Sequence, residues 1–133
     1  MITRRLFTAL AATSVLAVAA CSAGADATSQ QTEYDAAGFK ERMAKEGTVI
    51  LDVRTPEEFA AGHIPGAINL DVQSPTFADD VASLDNAVPY AVYCRSGNRS
   101  QVALDIMTER GFEAFHLAGG IGAWQSAGYD IVS

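Results

Sequence analysis

From residue 35 onward, short runs of consecutive apolar residues alternate with stretches whose apolar positions recur every three or four residues. Runs of the first kind, bounded by turn residues, predict strands buried on both faces, and spacing of the second kind predicts amphipathic helices. Asp35 can cap a helix reaching about Lys45, with Phe39 and Met43 on one face and Gly47 ending it. Residues 48–53, Thr-Val-Ile-Leu-Asp-Val, then predict a central strand. Thr55, with Pro56 next and Glu58 three positions on, predicts a capping box that opens a short helix ending at Gly62. A turn at 63–66 and a short strand at 67–70 follow. A weaker helix begins at Ser74-Pro75 and carries Phe77, Val81 and Leu84. Residues 89–93 predict a strand, 101–110 an amphipathic helix stopped by Gly111, and 113–117 another strand. Gly119-Gly120 predicts a turn and 121–127 a last helix carrying Trp124.

Strands alternating with helices predict an α/β sandwich around a mostly parallel sheet, with reactive groups at the carboxyl ends of the strands. At 133 residues and 49% hydrophobic content, the chain holds one domain with a core of its own.

The N-terminus is different material. Arg4 and Arg5 precede an apolar run over 6–20, whose 15 residues are short for a bilayer span and read as a signal peptide. Val18-Ala19-Ala20-Cys21 resembles a bacterial lipobox, which implies lipidation of Cys21 and a mature chain starting there; the alternative is a plain secretory signal with an incidental cysteine. Lipidation would consume that thiol and leave Cys94 as the one free cysteine, so no intramolecular disulfide could form in an oxidising compartment. Thr3-Arg4-Arg5-Leu6-Phe7 is also similar to a twin-arginine export signal. Ser22 rather than an aspartate follows Cys21, which in Gram-negative bacteria would permit transfer to the outer membrane. Residues 22–33 form a polar stretch of low complexity, 12 residues with roughly 20 Å of root-mean-square reach. The expected organisation is a signal peptide at 1–20, lipidated Cys21 and a tether at 21–34, and a folded domain at 35–133, held by lipid on the periplasmic side of a bacterial membrane. Loss of residues 1–20 leaves seven Lys and Arg against sixteen Asp and Glu, net −9, which argues against nucleic acid as a partner.

Candidate chemistry concentrates in Cys94-Arg95-Ser96-Gly97-Asn98-Arg99-Ser100, which follows the strand at 89–93 and leads into a helix. A thiol at a strand end, facing a helix N-terminus beside two guanidinium groups, is depressed in pKa. Gly97 and Asn98 tolerate positive φ, so successive amides can converge on one anion, and Arg95 and Arg99 can add charge-assisted hydrogen bonds. A free cysteine is most often a buried small hydrophobe, but two arginines and a Gly-Asn pair make no sense as core. Arg99 follows Cys94 by five positions, giving Cys-x4-Arg, one residue shorter than the Cys-x5-Arg loop of protein tyrosine phosphatases; the smaller ring suits a single sulfur atom.

With that spacing the chain resembles the rhodanese (thiosulfate sulfurtransferase) family. Asp52-Val53-Arg54-Thr55-Pro56-Glu57-Glu58-Phe59 with Gly62-His63-Ile64-Pro65-Gly66-Ala67-Ile68-Asn69 looks like the family's first signature, and Leu117-Ala118-Gly119-Gly120-Ile121-Gly122-Ala123-Trp124 like its last. The resemblance covers about 35–131. It implies a three-layer rhodanese-like sandwich and two-step sulfur transfer, in which Cys94 takes a sulfane sulfur from thiosulfate or a similar donor as a persulfide. A thiol or cyanide, or a protein acceptor, then removes it. Arg95, Ser96, Gly97, Asn98, Arg99 and Ser100 would bind the donor and stabilise the persulfide, and both arginines would hold the sulfonate.

Asp52, Arg54 and Glu58 invite an acid/base reading, but at a strand end and a helix start a structural role is expected, with a buried Arg54–Glu58 pair. His63 beside a Pro-Gly turn and His116 within a strand are expected to be structural and packed. No Cys/His cluster has metal-ligand spacing and no glycine pattern fits a nucleotide fold, so neither metal nor cofactor is expected. Two other classes stay open: a persulfide relay or interaction module without turnover on free thiosulfate, and a cysteine-dependent phosphatase or arsenate reductase.

Overall fold

The computed structural model describes residues 31–133; the expected signal peptide, Cys21 and most of the tether lie outside the described residues. Five strands are β1 (Glu33–Tyr34), β2 (Val49–Asp52), β3 (Ile68–Asn69), β4 (Tyr90–Tyr93) and β5 (Ala114–Leu117). Five helices are α1 (Ala36–Met43), α2 (Pro56–Ala61), α3 (Phe77–Ala82), α4 (Asn98–Glu109) and α5 (Gly120–Ser126). The strands form one sheet in the order β1-β5-β4-β2-β3, and every pairing is parallel, where the sequence predicts only a mostly parallel sheet.

Local chemistry places most of these elements. Asp35 caps α1, its carboxylate accepting from Gly38 N at 2.8 Å. The predicted capping box forms at α2: Glu58 N donates to Thr55 Oγ1 at 3.3 Å and Thr55 N donates to Glu58 Oε1 at 3.4 Å. Helix α3 starts at Phe77 rather than at Ser74-Pro75 and ends before Leu84, and two further boundaries differ from expectation. Helix α4 begins at Asn98 rather than 101, because Gly97 at φ +105° turns the chain straight into it and the first turn carries no apolar residue to reveal it. Asn98 is thus helical, and only Gly97 uses the left-handed region. Glu33 and Tyr34, expected in the tether, belong instead to the sheet: β1 pairs with β5 through His116 N donating to Thr32 O at 2.7 Å and Ala118 N to Tyr34 O at 2.8 Å. Two residues are too few to show a period.

Side chains alternate across the sheet and build a core on each face. On one face Leu51, Val53, Tyr90, Val92, Cys94 and Ala114 pack under Phe77 and Val81 of α3 and Ala103, Leu104 and Met107 of α4. On the other, Ala91, Tyr93, Phe115 and Leu117 pack against Phe39 of α1 and Ile121 and Trp124 of α5. The chain leaves β2 toward β3 and leaves β4 toward β5, in opposite directions along the sheet. The loops after β2 and β4 therefore part at their carboxyl ends and open a crevice, the place where α/β sheets hold ligands.

Candidate functional site

Cys94 continues the alternation of β4 toward the α4 face and has no exposed surface. Its Sγ accepts from Gly97 N at 3.0 Å and lies 3.5 Å from Ser100 Oγ. Burial pushes the thiol pKa up, but the Ser100 hydroxyl and the amides of Ser100, Gly97 and Ser96 outweigh it, and the net shift is downward. The amides converge because helix α5 holds the back of the loop: Ile121 N donates to Cys94 O at 2.9 Å and Gly122 N to Arg95 O at 3.5 Å. Since N–H and C=O are anti across a planar peptide, the Arg95 carbonyl turned toward α5 sends the Ser96 N–H the other way, to the sulfur. Gly120 permits this contact. At φ +61° it presses so close that a methyl there would collide with the Arg95 carbonyl and stand 2.5 Å from Cys94 O.

The two loop arginines have different positions. Arg95 and the side chains of Ser96 and Asn98 are exposed at the rim. Arg99 is half-buried and its guanidinium is taken: Nη1 donates to Glu58 Oε1 at 2.7 Å and Nη2 to Glu58 Oε2 at 2.9 Å. The Arg99 hydrogen bonds, against some desolvation, hold the Glu58 carboxyl down at about 2. The expected Arg54–Glu58 pair does not form. Arg54 turns instead to Asp52, with Nη2 2.7 Å from Oδ2 and Nε 3.0 Å from Oδ1, and also donates to Gly62 O at 2.6 Å. A residue two positions away on the same strand end was the nearer carboxylate, and Glu58, facing the crevice from α2, was left for Arg99.

The Asp52–Arg54 pair is buried and supports the first signature rather than touching the sulfur. Asn69 of β3 ties it down, donating to Asp52 O at 3.0 Å and Arg54 O at 2.9 Å. Tyr93 accepts from Ile64 N at 3.0 Å, fixing the turn after α2. Burial, first, and the nearby Asp52 push the Tyr93 phenol far above its ordinary range. His63 stacks on Phe59 with ring centroids 3.8 Å apart, and its Nδ1 lies 2.9 Å from Phe59 O.

Sequence reasoning missed His116 and Glu33. His116 is buried as expected, but it is not inert packing: its Nδ1 is 2.8 Å from Ser100 Oγ, behind the sulfur. Its Nε2 stands 3.2 Å from Glu33 Oε2 on β1. The parity of β5 was the available signal. His116 shares the face of Ala114, pairs in register with Val92 of β4, and so lies beneath α4 on the same side as Cys94.

Comparison with known proteins agrees with this geometry. Residues 35–127 match the family described as Rhodanese-like domain. The chain is 40% identical over 87 residues to thiosulfate sulfurtransferase GlpE of Pseudomonas putida, a match covering 65% of this chain and 77% of that one. It is 36% identical over 86 residues to the protein of the same name from Pseudomonas aeruginosa, covering 64% and 76%. Among solved structures, a rhodanese-related protein from Thermoplasma volcanium superposes with a TM-score of 0.68 at 31% identity, covering 75% of this chain and 96% of that one. The rhodanese-like domain of an Anabaena protein gives a TM-score of 0.68 at 27% identity, covering 77% and 80%. With an all-parallel sheet between two helical layers and a cysteine loop at the β2/β4 crevice, the chain belongs to the rhodanese-like domain family.

Proposed function

We propose that the chain is a rhodanese-type sulfurtransferase in which Cys94 carries the sulfur. The observation that supports this best is the lowered thiol at the focus of three loop amides and the Ser100 hydroxyl. The thiolate attacks the outer sulfur of thiosulfate, or of a similar sulfane donor; the new S–S bond forms on Cys94 as the donor's S–S bond breaks, and sulfite leaves with that bond's electron pair. The same amides then stabilise the anionic persulfide, as an oxyanion hole stabilises developing charge. A thiol or cyanide attacks the terminal sulfur and returns the thiolate.

Arg95 is the residue suited to the donor's sulfonate, since Arg99 is already committed to Glu58. This narrows the two-arginine expectation to one. Because Cys94 has no exposed surface, the loop rim at 95–97 must open for the donor. Once formed, the persulfide extends the reactive atom about 2 Å beyond Sγ, one S–S bond length, toward the acceptor.

Intact mass after thiosulfate exposure without reductant tests this. One added sulfur in wild type and none in Cys94→Ser is the expected result, with thiosulfate:cyanide turnover well above that variant. A persulfide without turnover would favour a protein relay instead, and Cys94-dependent hydrolysis of an aryl phosphate would overturn the reading. We also propose that the domain is exported and anchored by lipid at Cys21, on the strength of Val18-Ala19-Ala20-Cys21 after an apolar run. Release of Cys21→Ala from the membrane fraction is expected; unchanged partition would refute the anchor.

A further inference from the structure

Cys94 and Ser100 have no exposed surface and His116 is 1% exposed, so while the rim at 95–97 is closed the proton that Cys94 sheds has no direct route to water. Behind the sulfur stands a line of polar atoms. Sγ to Ser100 Oγ is 3.5 Å, Oγ to His116 Nδ1 is 2.8 Å, and His116 Nε2 to Glu33 Oε2 is 3.2 Å. The line ends in solvent, because the Glu33 side chain at the sheet edge is 61% exposed. We propose that Ser100, His116 and Glu33 form a proton relay that carries the Cys94 proton to solvent and sets the protonation of the sulfur. The proposal rests on the reading of Cys94 as the sulfur carrier. Ser100 touches the sulfur, and His116 and Glu33 are positioning residues that act through it.

The argument turns on a single hydroxyl proton. Ser100 Oγ has three neighbours able to take it: the sulfur, His116 Nδ1, and Gly97 O at 3.1 Å. While Nδ1 is unprotonated it accepts the Ser100 proton, and the Oγ lone pairs face the sulfur, which suits a thiol S–H as donor. Once Nδ1 is protonated it donates to Oγ, and the hydroxyl turns to the sulfur, which suits a thiolate. In the transfer the S–H bond breaks as a new Oγ–H forms, and the old Oγ–H breaks as Nδ1–H forms. Two protons each shift one place, no electrons are exchanged, and the product is a thiolate and an imidazolium; its Nε2–H bond then breaks as the proton passes to the Glu33 carboxylate, which releases it to water.

Nε2 explains why Glu33 belongs to the line. It is buried and makes no aligned hydrogen bond, although Glu33 Oε2 lies within ion-pair distance. An unpaired buried nitrogen is costly, and the solvent-exposed carboxylate beside it can align once the ring is charged. The groups around the ring that are anionic or become so are Glu33 of β1, 3.2 Å from Nε2, Cys94 of β4, reached through Ser100, and Asp105, an exposed residue of α4 that acts on the ring through its charge alone. Burial, the largest influence, holds the His116 pKa below its ordinary value against the opposing pull of Glu33 and Asp105. Burial thus favours the uncharged ring, which accepts at Nδ1 in the tautomer whose Nε2 carries the proton.

The test is the pH profile of Cys94 alkylation by iodoacetamide, read by intact mass, in wild type, Glu33→Gln, His116→Asn and Ser100→Ala. Glu33→Gln alters an exposed side chain and is expected to move the profile upward by about half a pH unit, with melting unchanged. Ser100→Ala should slow alkylation at pH 7 about tenfold. His116→Asn keeps a group near Oγ but cannot titrate, and should displace the profile further than Glu33→Gln. In wild type, the imidazole 15N shifts of His116 should report a change at Nδ1 when Cys94 is alkylated. Profiles of Glu33→Gln and folded His116→Asn that overlay wild type would overturn the relay. If His116→Asn does not fold, Glu33→Gln and the 15N shifts decide. Failure of wild type to form a persulfide with thiosulfate would instead defeat the sulfur-carrier reading, whatever the profiles show.

Discussion

Arg99 and Glu58, separated by 41 residues, join helix α4, which follows β4, to helix α2, which follows β2, through two parallel N–H···O bonds of 2.7 and 2.9 Å. The same Glu58 carboxylate completes the capping box of α2, accepting from Thr55 N and Thr55 Oγ1. One side chain therefore fixes the start of α2 and the first turn of α4 together, and spans the crevice in which the thiol loop sits. Arg99 thus acts on the loop as a brace, and Arg95 is left as the cation that faces outward.

A brace of this kind depends on the planar fork, which a lysine does not reproduce. Arg99→Lys keeps the charge and is expected to slow single-turnover persulfide formation about tenfold, a rise of ~1.4 kcal/mol in barrier height. The far-UV spectrum should be unchanged. Rates equal to wild type would show that the loop is held by α5 alone.

The pair also ties stability to acid. Glu58 is held near 2 in the fold, below its ordinary 4.5, so its contribution is present above the ordinary value and is lost as pH falls from 4.5 toward 2. Its side chain is 30% exposed, and solvent screening reduces the worth of the pair to about 1 kcal/mol. Denaturant midpoints between pH 7 and pH 2.5 should fall less steeply for Glu58→Gln than for wild type. Parallel slopes would place the acid sensitivity elsewhere.

Much of this was legible in the chain because local chemistry dictated it. Thr55, Pro56 and Glu58 announce α2, Asp35 announces α1, and the apolar run ending at Tyr93 announces the strand that delivers Cys94. What sequence could not decide was choice among long-range partners. Arg54 had three acidic residues within four positions, Asp52, Glu57 and Glu58, and which one it took depended on the crevice geometry that gave Glu58 to Arg99. Glu33 and His116 were illegible for a related reason. A two-residue edge strand has no period, and the link between them is made by the parallel pairing of β1 with β5 across 83 positions of sequence.

Arg95 yields a prediction of the opposite kind from Arg99. It is exposed and belongs to no ion pair found among the described residues, so its removal should leave stability unchanged while weakening capture of an anionic donor. Arg95→Ala is expected to raise KM for thiosulfate about tenfold with kcat nearly unaltered, and Arg95→Lys to recover part of the loss. The wild-type KM should also rise with ionic strength, and that of Arg95→Ala should rise less. An unaltered KM would remove Arg95 from the donor site.

Gly120 tests how the amides are aimed. A Cβ there would collide with the Arg95 carbonyl at a backbone φ of +61° that side chains disfavour, and the obstacle is backbone, which cannot swing aside. Gly120→Ala must either push α5 off the loop or unfold its first turn, costing about 3 kcal/mol in denaturant stability. Because α5 holds the Cys94 and Arg95 carbonyls, the variant should also lose the lowered thiol pKa, seen as an alkylation profile moved toward that of an ordinary cysteine. Gly122→Ala is the control: its Cβ would meet Arg95 O at 3.8 Å, an ordinary contact, and should change stability by less than about 0.5 kcal/mol. If Gly120→Ala unfolds at the wild-type midpoint with an unshifted profile, the aim of the amides owes nothing to α5.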